Sequence, residues 1–362
     1  MASIISALLL VAPAADVLAE DAGWAITGSA VVTYQETDAS QVRNESAGSA
    51  DLFLERSKAA GSWLAHIEAS STPRANGVSG ILPEANADVG SALDEDNEGR
   101  LQFSELYYSH AISEKHRISA GLLDVSGFFE QSRIASDETT QFLGAFFVGN
   151  PTIEFPDYTL GVVNETGLSN GVVLRAALAS SNGLADNPNR AYSQLLTVED
   201  GEGVFGIASA SWRKNAWLLR AGAWMNTADH QTLDGTSDDE LNYGAYVLAG
   251  YGWHQHAANI RLGLANPDVS QGAAFVSAAY RYQVGPCTVG VGMGRSFASS
   301  QAPAPGLEDT EQYEVFFRYT LRMGLFVTAD VQHIVNSNYG MSLAGESRGA
   351  TIYGARLTWL YE

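Results

Sequence analysis

The chain has 362 residues, of which 46% are hydrophobic, 17% charged and 10% aromatic, with 36 Gly and one Cys. The aromatic content excludes a disordered chain, and the lone Cys287 excludes a disulfide scaffold. The formal charge of −21, from 20 Lys plus Arg against 41 Asp plus Glu, argues against nucleic acid as a partner, because a phosphate backbone needs a basic face.

Residues 4–15 (IISALLLVAPAA) are almost wholly apolar, and Val17-Leu18-Ala19 presents small residues where a signal peptidase reads. Residues 1–19 are therefore expected to be a signal peptide, with the mature chain running over 20–362. Past residue 19 no apolar run approaches the ~18 residues of a membrane helix, so any crossing of a bilayer must use strands.

Alternation supplies those strands. In 312–322, Tyr313, Val315, Phe317, Tyr319 and Leu321 share one face, while Glu314, Phe316, Arg318, Thr320 and Arg322 share the other. Residues 217–226, 242–253 and 258–264 repeat the pattern. A strand sends successive side chains to opposite faces, and segments of about ten alternating residues mark a transmembrane β-barrel.

Short breaks fall at 58–61, 113–115, 166–170, 214–215, 254–255, 285–286 and 323–324. Longer polar stretches fall near 36–48, 71–99, 125–157, 181–202, 227–241, 267–271, 298–311 and 337–348. Seven short connections alternating with eight longer ones predict an all-β, 16-stranded antiparallel transmembrane barrel. The short turns would be periplasmic and the longer loops extracellular. Residues 192–198 would break the parity as a strand, so they are assigned to a loop. Trp24, Trp63, Trp212, Trp217, Trp253 and Trp359 map to the short-turn end, as an aromatic girdle requires.

The stretch from Leu101 to Asp124, with SELYYSHAISEKHRISAGLLD, resembles paired strands of the carbohydrate-selective porins (the OprB-like family) of Gram-negative outer membranes. The following FFEQSRIASDETTQFLGAFFVGNP at 128–151 is similar to the loop region after that hairpin. Asp330-Val331-Gln332-His333-Ile334-Val335-Asn336 is similar to the penultimate-strand motif. These parts cover about a third of the chain. It departs from the family at Ser337-Asn338-Tyr339-Gly340, where Pro-Gly is usual, and in ending on Glu362. The resemblance implies an outer-membrane pore for passive diffusion of small hydrophilic solutes, with sugars favoured.

Charged side chains on a lipid face cost roughly 2–4 kcal/mol at mid-bilayer, so those on the wet faces should point into a water-filled lumen. Candidate solute contacts are Glu105, Arg220, Trp224, Arg261, Glu314, Arg318 and Asp330: charged groups for hydroxyls and an aromatic face for sugar C–H surfaces. The 125–157 loop, carrying Phe128, Phe129, Arg133, Phe142, Phe146 and Phe147, is a candidate constriction. A plug against the wall, or a contact with a neighbouring barrel, are its other readings.

Asp94, Asp96, Glu98, Gly99 and Glu105 reproduce much of an EF-hand loop, but 101–112 alternates like a strand where that motif needs a helix. His254-Gln255-His256 sits in a tight turn. Glu55 and Glu68, as an acid pair, would set a field in a wet pore rather than catalyse. No nucleophile elbow, phosphate loop or zinc motif is present, so neither enzyme activity, metal nor cofactor is expected. The remaining partners are outer-membrane lipid and lipopolysaccharide, and homo-oligomers stay open. The rival readings are a general or anion-preferring pore, since lumen Arg outnumbers Lys, and a secreted β-sheet adhesin or sugar-binding module.

Overall fold

The computed structural model describes residues 23–58, 60–196, 202–303, 306–343 and 348–361. The expected signal peptide at 1–19 lies outside the described residues, as do residues 197–201 and with them the end of the expected 192–198 loop segment. Sixteen strands follow in order: β1 Ala25–Thr37, β2 Glu45–Lys58, β3 Gly61–Ser70, β4 Leu101–Ser113, β5 His116–Leu123, β6 Thr159–Gly167, β7 Val172–Ser180 and β8 Val204–Lys214. The second half comprises β9 Trp217–His230, β10 Glu240–Trp253, β11 His256–Ala265, β12 Gly272–Val284, β13 Cys287–Ala298, β14 Thr310–Arg322, β15 Leu325–Val335 and β16 Gly349–Tyr361.

Each strand pairs antiparallel with its sequence neighbours, and β1 pairs with β16 from Gly28↔Tyr361 to Thr37↔Ile352, closing the barrel. Closure leaves no open sheet edge, the condition for strands in hydrocarbon. The described residues contain no helix long and apolar enough to cross a membrane. Tyr192–Gln194 is a 3-10 turn inside a loop, so the strand parity stands.

The two periods of the sequence become two faces. Val291, Val315, Val331 and Tyr353 stand side by side across four strands and are all exposed, forming part of an outward apolar band. On the opposite parity Thr33, Ser277, Gln312, Thr328 and Gln332 are buried inside. Trp217 lies 4.3 Å from Tyr251, and Tyr251 stacks on Trp253 at 5.4 Å, beside the short turns. Those turns are tight: Gly324 has φ 74°, and a Cβ there would stand 2.5 Å from the carbonyl oxygen of Leu360.

The interior is not wholly wet. Two connections, residues 71–100 and 124–158, fold inward and bury apolar clusters against the wall. Val78, Leu82 and Ala85 pack with Ile334 and Ile352, while Ala135, Phe142 and Phe147 pack with Ala279 and Phe316. A third cluster joins Val125 and Phe129 to Tyr107, Phe205, Trp224 and Tyr246.

Candidate functional site

Glycine makes the seat for the longer inserted loop. Gly290, Gly292 and Gly294 alternate on β13 and face inward, leaving a trench without side chains. A Cβ on Gly290 would lie 2.1 Å from the Phe316 ring, and one on Gly292 2.6 Å from the Phe147 ring. Phe142 meets Phe316 edge-on with centroids 4.9 Å apart, and Phe146 meets Phe275 at 5.2 Å. Phe129 is fully buried and Phe128 packs edge-on against Tyr107 at 5.8 Å. The loop phenylalanines are thus directed at the wall, which they grip by burial of apolar surface. Arg133 alone of the six loop candidates is exposed.

Wall side chains then satisfy the loop backbone. Arg220 donates to the carbonyl of Phe129 at 2.6 Å, which also accepts from the Tyr246 hydroxyl at 3.0 Å. Arg261 pairs with Glu130 at 2.8 Å and donates to the carbonyls of Phe147, Ala135 and Val148. Glu314 accepts from the backbone N–H of Leu143 at 2.9 Å and Gly144 at 2.7 Å. Arg318 donates to Thr140, and Arg356 to Glu138 and Gln141. A loop without a strand ladder must find partners for its buried N–H and C=O groups, and here the lumen supplies them.

The predicted contact residues are therefore distributed as follows. Arg220, Arg261, Glu314 and Arg318 hold the loop. Trp224 is 3% exposed, stacked near Phe205 at 6.2 Å under that loop, so it presents no free face to the lumen. Asp330 is buried and accepts from Gln332. Glu105 accepts from the backbone N–H of Asp124 at 3.1 Å, holding the loop's first residue. Glu55 and Glu68 do not pair: Glu55 stands opposite Leu64, and Glu68 opposite Asp51.

The shorter insertion, 71–100, was not singled out by the sequence. The side chain of Gln312 donates to the Glu84 carbonyl at 2.6 Å, and Gln332 donates to Ala85 at 2.9 Å. The two insertions meet where the N–H of Ala87 donates to the carbonyl of Leu143 at 2.9 Å. Its apolar Val78, Ile81 and Leu82 in an otherwise polar loop were the available signal.

Between the insertions and the β2–β3 wall lies a cleft of about 190 Å³. Ser49 and Asp51 of β2, Glu68 of β3, Asp88 and Ser91 of one insertion, and Asp124, Ser126, Glu138, Asp157 and Tyr158 of the other line it. Among the described residues six carboxylates face it, and no Lys or Arg lines it. Burial pushes Asp88 up to about 6, against the opposing pull of the Ser49 hydroxyl. Burial, then the negative charge of Glu105, pushes Asp124 up to about 6. Glu138 and Asp157 are likewise held well above the usual carboxylate range by burial, reinforced by Asp137 and Asp186 respectively.

A bulge shapes one side of this wall. His66 pairs with Glu105 but Ile67 with Phe103, so Ser104 and Glu105 both point inward. Extra residues of this kind re-aim side chains beside functional sites. Asp94 caps its own turn, accepting from the N–H of Asp96 and Glu98. Strand β4 begins at Leu101, so the EF-hand pattern has no helix to follow it.

Among known proteins, one curated relative, an uncharacterized protein of Aquifex aeolicus (strain VF5), is 30% identical over 101 residues, 28% of this chain. The match spans 32% of that relative's length. In fold the chain resembles Pseudomonas putida OprB, with a TM-score of 0.70 at 10% identity, covering 94% of each chain. A mutant of the Rh. blastica porin gives 0.56 at 13% identity, covering 94% of this chain and all of that one. A loop-deletion mutant of OmpT, an outer-membrane protein of Vibrio cholerae, gives 0.58 at 12%, covering 94% of this chain and 99% of that one. The family model for the carbohydrate-selective porin, OprB family, matches residues 67–361. With a closed 16-strand barrel and that match over most of its length, the chain belongs to the OprB family of carbohydrate-selective porins.

Proposed function

We propose that the protein is an outer-membrane pore for passive diffusion of small hydrophilic solutes, sugars foremost, and that they pass through the acidic cleft beside β2 and β3. The short turns face the periplasm and the long loops the outside, with lipid and lipopolysaccharide against the apolar band. The carrying observation is the cleft itself: both insertions stop short of one arc of wall, and that arc is lined by hydroxyls and carboxylates. Carboxylates and hydroxyls accept hydrogen bonds from sugar hydroxyls, replacing the water a solute sheds in a narrow bore.

The same observation weighs against the anion-preferring rival. Lumen arginines do outnumber lysines, but Arg220, Arg261, Arg318 and Arg356 donate to the inserted loop, and none lines the cleft. The carboxylates make the field within the cleft negative. The outward apolar band, needing hydrocarbon or detergent to cover it, weighs against a secreted adhesin.

Liposome swelling tests this reading. Reconstituted protein should admit glucose faster than a zwitterionic amino acid of matched size. Rates that follow size alone would remove the sugar preference, and no swelling at all would remove the pore.

A further inference from the structure

We propose that the cleft wall carries a site for a divalent transition-metal cation, formed by Asp51 of β2 with His66 and Glu68 of β3. One donor atom from each residue lies within 4.8 Å of the others. The imidazole Nε2 of His66 stands 3.0 Å from Asp51 Oδ1. That contact is an imidazole–carboxylate hydrogen bond; two ligands about 2.1 Å from one ion and at right angles to each other are also about 3 Å apart, so a cation that displaces the shared proton needs a turn of the ring but little change in spacing.

Groups that would orient the ligands stand beside them. A metal-bound histidine ordinarily gives its other ring nitrogen to a carboxylate, which fixes the ring and raises its basicity. Here the bulge brings Glu105 Oε2 to 3.5 Å from His66 Nδ1, and among the described residues Nδ1 has no other partner. The ring is 5% exposed and stacked on Phe53 at 4.1 Å. Ser29 donates to the far oxygen of Asp51 at 2.6 Å, and Ser104 donates to Glu68. Each ligand is thus oriented on a rigid strand. The charge balance points the same way, because the cleft gathers six carboxylates with no Lys or Arg in its lining.

One imidazole with two carboxylates suits a borderline ion such as Zn²⁺ over Ca²⁺, which takes oxygen ligands. That preference separates a built site from a merely acidic surface. Calorimetric titration of the detergent-solubilised full chain should show saturable Zn²⁺ binding at one site, with much weaker Ca²⁺ binding. Glu105→Gln should weaken Zn²⁺ by roughly tenfold to a hundredfold, and His66→Ala should abolish the Zn²⁺ preference; heat-modifiable gel mobility checks that each variant folds. Equal affinity for the two ions, or Zn²⁺ binding untouched by both substitutions, would overturn the site. Binding does not depend on solute flux: if Zn²⁺ binds as expected yet leaves glucose swelling unchanged, the site stands and the passage assigned to the cleft falls.

Discussion

Arg261 and Glu130 form a fully enclosed ion pair at 2.8 Å, their side chains 0% and 3% exposed, between strand β11 and the inserted loop. Arg261 spends its remaining donors on loop carbonyls and on the Ser136 hydroxyl at 2.5 Å. Removing one member of such a pair leaves the other charged and unpartnered, at a cost of about 3–5 kcal/mol. Arg261→Ala should therefore release the loop from the wall while the strands keep their pairing. Single-channel conductance should rise and disaccharide swelling should accelerate; unchanged conductance in a folded variant would show that the loop does not set the bore.

Gly144 gives a subtler test of the same seat. A Cβ there would fall 2.4 Å from Gln312 Nε2, which donates to the Glu84 carbonyl, and 2.8 Å from Glu314 Oε2, which accepts from the Gly144 N–H. Gly144→Ala should lift Ala145–Val148 and cost about 1–3 kcal/mol. The thermal midpoint of the heat-modifiable band measures that loss, and a midpoint equal to wild type would mean that the seat yields without strain.

Acidification should alter selectivity. Asp88 and Asp124, ordinarily near 3.8, are each pushed up to about 6. They are neutral at low pH and charged above about 6, so cation preference should grow as pH rises through 6 and fade as it drops below. The linkage has the matching sign: ionising these groups in the folded state costs stability that is intact below 3.8 and forfeited above about 6. Zero-current potentials in a salt gradient across this range would show the change. Asp88→Asn should flatten it; a pH-independent potential would exclude these carboxyls from the path.

Trp224 separates packing from contact. If it met solute, Trp224→Ala would lower sugar selectivity with little loss of stability. At 3% exposure, in a cluster with Phe129, Phe205 and Tyr246, it should instead cost about 3–5 kcal/mol by cavity formation. Sugar selectivity lost in a barrel of undiminished thermal midpoint would restore the direct role.

The sequence by itself determined the barrel, because alternation is a local property. Each inward or outward position, as in Tyr313, Glu314 and Val315, follows from its neighbour, and the glycine and short-turn breaks count the strands. It also located the longer loop and marked its phenylalanines. Only the tertiary structure decided what the inward groups do. Arg220, Arg261 and Glu314 read as free pore charges until the loop residues they bind, 91 to 171 positions away in sequence, close on them. Asp51 and Asp88 carry no local signal, since the cleft is assembled from two strands and two insertions whose proximity depends on barrel closure. Periodicity fixes which side of a strand a residue occupies, while the function of that side depends on what else enters the same enclosed volume.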